Sequence, residues 1–337
     1  MKRFLVLLLC FLMAFSLFGC GPEEIPTDSG TDSASGSSSD TEPPAEPESH
    51  YVGLTDQENQ RLVVYDLDVE DWTSPEALVW EYSDSMTNTV AGIKFRHSEF
   101  WGGDVVLFCG PNGAGIIDFA TKKKLWSTTS LPGNPHSVEL LPNGNFICAG
   151  SSGNTVRIYG SSQKDSKVSY SDVTLTDAHG VLWDPELEVL WALGGPELTA
   201  YLVEGTDAQP KLSKISNMSY RVPGGGGHDL APVYGNTDRL WITAGGGVYQ
   251  FVKSSEKFDD SYVGGSSVLH IHIKGIGNFY DGTVAYTFPN GNKHEWTTDE
   301  ANFFSVNEKG NRIIKSGVRV NEEDAYYKLR VWIPDYQ

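Results

Sequence analysis

The sequence predicts an all-β fold, a six-bladed β-propeller whose ring closes when the C-terminal strand pairs with the first blade. Three observations carry that expectation. Beyond residue 50 the chain shows almost no helical periodicity, and a two-strand apolar unit recurs at a spacing of about 40 to 50 residues. A C-terminal run, Tyr326 to Trp332, has no partner adjacent to it in sequence.

The recurring unit is an apolar strand ending in small residues, a Gly or Asn turn, then a strand rich in aromatic and branched residues. Its first copy joins Tyr51–Leu54 to Leu62–Asp66, and its second joins Val105–Gly110 to Gly115–Asp118. Phe146–Gly150 with Val156–Tyr159, Leu190–Gly195 with Leu198–Leu202, and Leu240–Gly245 with Val248–Phe251 continue the series. Thr283–Tyr286 with Phe303–Val306 ends it, with a longer insertion between the strands. Strand pairs of this kind cannot cover both faces alone, so radial stacking of four-stranded blades is the expected solution. Further strands precede the core pairs, as in Ser137–Leu140 and Gly180–Trp183, and outer strands follow, as in Lys124–Ser127. The first copy lacks its preceding strand; Tyr326–Trp332 would fill that gap and remove the open edge. A β-sandwich or two smaller β domains is the competing arrangement.

At Asn134-Pro135-His136-Ser137-Val138-Glu139-Leu140-Leu141-Pro142-Asn143-Gly144-Asn145 the chain resembles the blades of secreted bacterial propellers of the NHL and WD40-like kind. It looks most like an uncharacterised six-bladed family. That resemblance spans the domain expected at residues 51–337, and it implies a fold without transferring a catalytic residue.

The first fifty residues point to export. Met1-Lys2-Arg3 is basic, and an apolar run from Phe4 to Phe18 follows, too short for a spanning helix of about 20 residues. It ends in Leu17-Phe18-Gly19-Cys20, which resembles the lipobox cut by lipoprotein signal peptidase. The resemblance implies a signal peptide over residues 1–19 and a lipid on Cys20, hence an extracytoplasmic protein whose first partner is the membrane. Each buried lipid methylene contributes about 0.8 kcal/mol, so several chains on one residue anchor firmly. Residues 20–50 follow as an expected disordered linker. Between Gly21 and Ser49 there are eight acidic residues, no Lys or Arg, and one large apolar residue, Ile25. Such a segment buries too little surface to offset its ordering entropy.

Charge excludes one class of partner. The chain carries a formal −19; without the leader's two basic residues and the linker's eight carboxylates, 36 acidic residues face 23 basic ones. That balance of −13, with no basic, aromatic-interleaved stripe, excludes nucleic acid. Cys109 and Cys148 occupy matching places in neighbouring repeats. Stacked sheets lie about 10 Å apart, whereas a disulfide needs Cα atoms within about 7 Å, so two free, buried, inert thiols are expected.

Histidine placement is the feature closest to chemistry. His136, His179 and His228 each stand at the start of an expected innermost strand, and His270 or His272 occupies the next blade. Equivalent positions in a propeller surround the central channel at one face, so these imidazoles are expected to converge. The closing strand would add Lys328 or Arg330, according to register, whereas His97 falls at the far end of its strand. Three readings stay open. The imidazoles stitch neighbouring blades through the backbone; or they bind a sugar or anion beside aromatics such as Trp183 and Tyr220; or they catalyse or bind metal, since imidazole titrates near neutrality. The arrangement is loosely similar to the channel histidines of secreted polysaccharide lyases and sulfotransferases on propeller folds, a likeness at fold level. The expected function is therefore ligand binding, carbohydrate or protein, with a polysaccharide-cleaving enzyme and a protein-interaction scaffold as alternatives. No cofactor and no metal set is assigned. Gly224–Gly227 lacks the strand-to-helix context and the Gly-Lys-Ser of a phosphate loop, and is expected to be a flexible entry to the His228 strand.

Overall fold

The computed structural model describes residues 49–165, 167–268, 272–307 and 309–337. Cys20, the leader and nearly all of the expected linker lie outside them, as does His270. The described chain forms six antiparallel four-stranded sheets. Blade 1 holds β1 (Tyr51–Asp56), β2 (Arg61–Asp66) and β3 (Leu78–Tyr82). Blade 2 holds β4 (Gly92–Ser98), β5 (Gly103–Gly110), β6 (Gly113–Asp118) and β7 (Lys124–Thr128). Blade 3 is β8 (Pro135–Leu140), β9 (Phe146–Gly150), β10 (Thr155–Tyr159) and β11 (Tyr170–Thr174). Blade 4 is β12 (Gly180–Asp184), β13 (Val189–Leu193), β14 (Glu197–Thr206) and β15 (Gln209–Arg221). Blade 5 is β16 (Asp229–Pro232), β17 (Arg239–Ala244), β18 (Gly247–Val252) and β19 (Lys257–Asp259). Blade 6 is β20 (Gly275–Asn278), β21 (Val284–Thr287), β22 (Glu300–Val306) and β23 (Ile313–Val320). The last strand, β24 (Tyr326–Val331), pairs antiparallel with β1 and completes blade 1, as the sequence predicts. Among the described residues no helix is long and apolar enough to cross a membrane.

Alternation along the middle strands explains why they are almost continuously apolar. Leu62 and Val64 of β2 enter the wedge between blades 1 and 2, whereas Val63 and Tyr65 enter the wedge between blades 6 and 1. In β5, Val106 and Phe108 face blade 1 while Val105, Leu107 and Cys109 face blade 3. A strand buried on both faces needs apolar side chains at both parities, in contrast to the one-sided pattern of a solvent-facing sheet. The core is accordingly divided into six wedges, one per blade interface. Cys109 and Cys148 meet in the wedge between blades 2 and 3 as free thiols. Burial, with the neighbouring Cys109 thiol, pushes Cys148 well above its ordinary value, so the thiolate form is suppressed. Outer strands add repeated latches: the indoles of Trp80 and Trp126 donate to the carbonyls of Phe119 and Asp165 in the next blade, both at 2.9 Å.

The six inner strands β24, β4, β8, β12, β16 and β20 stand side by side around the channel, with β24 packed against both β4 and β20. Two buried carboxylates tie them together. Glu139 on β8 receives the guanidinium of Arg96 through both oxygens, at 2.8 and 2.7 Å, and the ammonium of Lys94 at 3.0 Å. Asp229 on β16 receives both terminal nitrogens of Arg330 at 2.6 Å, the ammonium of Lys328 at 2.9 Å and the amide of Ile276 at 3.1 Å. The cations on β24 reach past blade 6 because β20 presents glycine: a Cβ at Gly275 would stand 2.4 Å from the Leu329 nitrogen. The chain end then covers the far end of the channel. Tyr336 lies 4.8 Å from the Arg96 guanidinium and donates to the Leu140 carbonyl at 2.7 Å, and the Gln337 amide reaches the carbonyls of Asn236 and Arg239.

Removing Asp229 leaves Lys328 and Arg330 buried without a counter-charge. Asp229→Ala is expected to destabilise the fold by about 3–5 kcal/mol, measured as a shift in the denaturant midpoint. An unchanged midpoint would mean that the ring does not depend on this closure.

Candidate functional site

Each blade places one residue at the same end of its inner strand. The residues are Ala91, His136, His179, His228, Lys274 and Tyr327, and all six line one cavity of about 390 Å³. Their equivalence is visible in the backbone. The amides of Ala91, His179, His228 and Lys274 donate to Cys109, Leu193, Thr243 and Thr287 respectively, each extending an inner ladder by one residue. His136 sits at a register shift between β8 and β9, a bulge that re-aims its side chain.

The three imidazoles pack against one another. His136 and His179 stack with centroids 4.4 Å apart, and His228 stands edge-on at 4.6 Å from His179 and 6.2 Å from His136. Tyr327 closes the cluster, its hydroxyl 3.0 Å from His136 Nδ1 and 3.5 Å from His228 Nε2. The proton positions follow from the partners. The Asp177 carbonyl accepts from His179 Nδ1 at 2.9 Å, which leaves Nε2 with the lone pair. Lys274 Nζ donates to His228 Nε2 at 2.6 Å, so the imidazole proton sits on Nδ1. That nitrogen is buried and has no hydrogen-bond partner among the described residues. The Asn134 amide nitrogen lies 3.0 Å from His136 Nε2.

The surroundings keep these imidazoles uncharged. Burial, followed by the charges of nearby lysines and histidines, holds His136 and His228 well below the ordinary value of 6.5, and His179 is lowered as well. Burial and the neighbouring Lys328 push Lys274 down to about 8. Beneath the mouth, burial pushes Lys94 down to about 7, whereas the cations beside Glu139 and Asp229 hold those carboxyls at about 2. Lys94, Arg96, Lys274, Lys328 and Arg330 thus share the channel with Glu139 and Asp229, and the remaining inner-strand carboxylate, Asp184, is matched by Lys253. A cation-rich channel stands inside a strongly acidic protein.

The structure brings together His136, His179 and His228 but separates His272, Arg330, Trp183 and Tyr220 from them, and His270 lies outside the described residues. Blade 6 presents Lys274, and not His272, because β20 begins at Gly275. His272 is exposed in the preceding turn with φ of 71°, and it does not line the cavity. Arg330 lies deeper, bound to Asp229, as does Lys328. Trp183 and Tyr220 pack into wedges between blades, and the aromatics at the mouth are instead Tyr327 and Trp296. Trp296, 48% exposed, comes from the insertion between β21 and β22; its indole donates to Gln57 Oε1 at 2.9 Å, and His294 stacks on it at 5.5 Å. One signal could have selected Lys274: like His179, it immediately precedes a glycine that opens an inner strand. Among the described residues no group of three or more His, Cys, Asp or Glu is arranged to hold a metal ion.

A family model, described as a family of unknown function, matches residues 24–326. The chain belongs to the DUF6528 family. This DUF6528 chain is similar to a protein of unknown function from Bacteroides caccae, with 12% identity, a TM-score of 0.57, and coverage of 84% of this chain and 98% of that one. It also resembles a proposed 6-phosphogluconolactonase from Bacteroides fragilis, with 12% identity, a TM-score of 0.54, and coverage of 86% and 99%. A chain in a nidogen/laminin complex aligns at 9% identity with a TM-score of 0.52, covering 86% and 100%. At such identities the likeness concerns the fold alone. No curated relative matches the DUF6528 chain.

Holding imidazoles neutral has a cost in acid. Because their folded values lie below 6.5, the unfolded chain takes up these protons first as pH falls. The corresponding stability is present above about pH 6.5 and is lost progressively below it. His50 and His97, raised through their carboxylate partners, act in the opposite sense, so the comparison must be between proteins. Between pH 7 and pH 5 the thermal midpoint of the wild type is expected to fall more than that of His228→Asn. Parallel profiles would refute a neutral buried His228.

Proposed function

We propose that this DUF6528 protein is exported, anchored through a lipid on Cys20, and binds a carbohydrate at the histidine mouth of its channel. The location rests on the basic start, the apolar run and Leu17-Phe18-Gly19-Cys20. The binding role rests on one observation above others: neutral imidazoles, a phenol and an ammonium from successive blades line a single concave cavity beside an exposed indole. Pockets of several hundred Å³ with few convergent polar groups are the usual form of a small-ligand site. Neutral imidazoles and the amides of Asn134 and Gln57 suit sugar hydroxyls, and Trp296 offers a stacking face.

A second reading has its own support. The lone pair of His179 Nε2 and the Tyr327 hydroxyl supply a base and an acid within one cavity, the minimum for cleaving a glycan by proton transfer. Release of reducing ends from acidic polysaccharide, lost in His179→Ala with the fold intact, would establish it; intact substrate after prolonged incubation would reject it.

Binding is tested by presenting the purified protein to an oligosaccharide array. Saturable binding is expected, weakened about 3- to 10-fold in Trp296→Ala through the lost ring contact and more strongly in the His136→Ala, His179→Ala double variant. Retention of full affinity in both variants would remove the mouth as the site. For the anchor, labelled palmitate is expected to enter the wild type and not Cys20→Ser; equal labelling of the two would disprove lipidation at Cys20.

A further inference from the structure

The mouth holds one ammonium that no carboxylate answers. Lys94 and Arg96 share Glu139, and Lys328 and Arg330 share Asp229. Lys274 forms no ion pair among the described residues; its Nζ is held by His228 Nε2 and stands 5.6 Å from the Tyr327 ring centre. The groups around it come from every neighbouring blade: His136 from blade 3, His179 from blade 4, His228 from blade 5, and Tyr327 and Lys328 from β24. Asp177, which does not line the cavity, lies against His179 Nδ1 at 3.3 Å. A half-buried ammonium in such company is a poor arrangement for folding alone, because desolvated charge is costly without a partner. It is the expected arrangement where the partner arrives with the ligand.

We infer that Lys274 is the seat for the carboxylate of an acidic sugar, so that the ligand bound at the histidine mouth is a hexuronate-containing glycan. The inference rests on the carbohydrate reading above and adds the ligand's charge. Two features favour a carboxylate over a phosphate. Both channel arginines are already engaged by Glu139 and Asp229, so no guanidinium fork is free for a phosphoryl group. The single ammonium matches one negative charge, whereas a phosphate dianion would bring a second that no further cation is free to answer, since Lys94, Arg96, Lys328 and Arg330 are all engaged by Glu139 and Asp229. Trp296 at the rim supplies the sugar's stacking face, and the excess of cations beneath provides a long-range field that favours the anion.

A proton linkage follows. A carboxylate beside Lys274 favours its charged form, which burial and Lys328 hold down at about 8 in the free protein. Binding therefore takes up protons near pH 8, and affinity for the acid declines as pH rises above that value. A neutral sugar shows neither effect.

The test uses the full-length protein, calorimetry, and disaccharides of galacturonate, glucuronate and mannuronate, with their methyl esters, sulfated disaccharides and sugar phosphates. At least one free acid is expected to bind ten times more tightly than its ester, with proton uptake at pH 8. Lys274→Gln is expected to erase that preference and Lys274→Arg to retain it, with thermal midpoints reporting on folding. The ester comparison needs no variant, so it decides the matter even where Lys274→Gln unfolds. Equal binding of acid and ester would overturn the carboxylate seat and leave the carbohydrate reading standing. Binding of no sugar at all would overturn both. Tighter binding of sulfated or phosphorylated sugars than of every uronate would replace the carboxylate and refute the inference.

Discussion

A ring of wedges is only as stable as its last joint. Here that joint is made twice, by the ladder between β24 and β1 and by the grip of Asp229 on Lys328 and Arg330. The second contact spans farther than a neighbouring strand. It joins the end of the chain to blade 5 across the glycines of β20, while the Ile276 amide brings blade 6 into the same carboxylate. Glu139 performs the equivalent task for blades 2 and 3. Buried ion groups are poor substitutes for apolar packing in net stability, but breaking one leaves an uncompensated charge. They therefore specify which strands meet more than they strengthen the meeting.

That device has a consequence for the mouth. Four of the channel cations are used against two carboxylates, so the interior is electropositive in a protein that is acidic as a whole. The field and the burial together keep His136, His179 and His228 neutral and lower Lys274. Closure of the ring and the chemistry of the mouth are thus one electrostatic problem. The C-terminal tail takes part by covering the far end of the channel, which leaves the histidine face as the side where the cavity lies.

Much of the architecture was legible because each wedge imposes a strong local pattern. Middle strands such as β2, β5 and β9 must be apolar at both parities, and small residues and turns punctuate them at the blade period. The unpartnered Tyr326–Trp332 run and the first copy's missing strand identified each other by elimination. Within the site, His136, His179 and His228 were legible because histidine is rare and recurred at one place in the repeat. Lys274 and Tyr327 were not: a lysine or tyrosine carries no such contrast, and Leu-His-Ile-His-Ile offered a more conspicuous match two residues early. Trp296 was hidden in an insertion that belongs to no repeat.

The amino-acid sequence by itself determined the number of blades, the strand that closes the ring and the presence of histidine at one end of three inner strands. These follow from periodicity and composition, which are properties of residues near one another in the chain. Only the tertiary structure decided which side chain each blade presents at the mouth. That choice depends on where β20 begins to pair, on the bulge at His136, and on how far the cations of β24 reach across the channel to Asp229. Those are matters of register and ring curvature between segments up to 101 residues apart, and no local pattern encodes them.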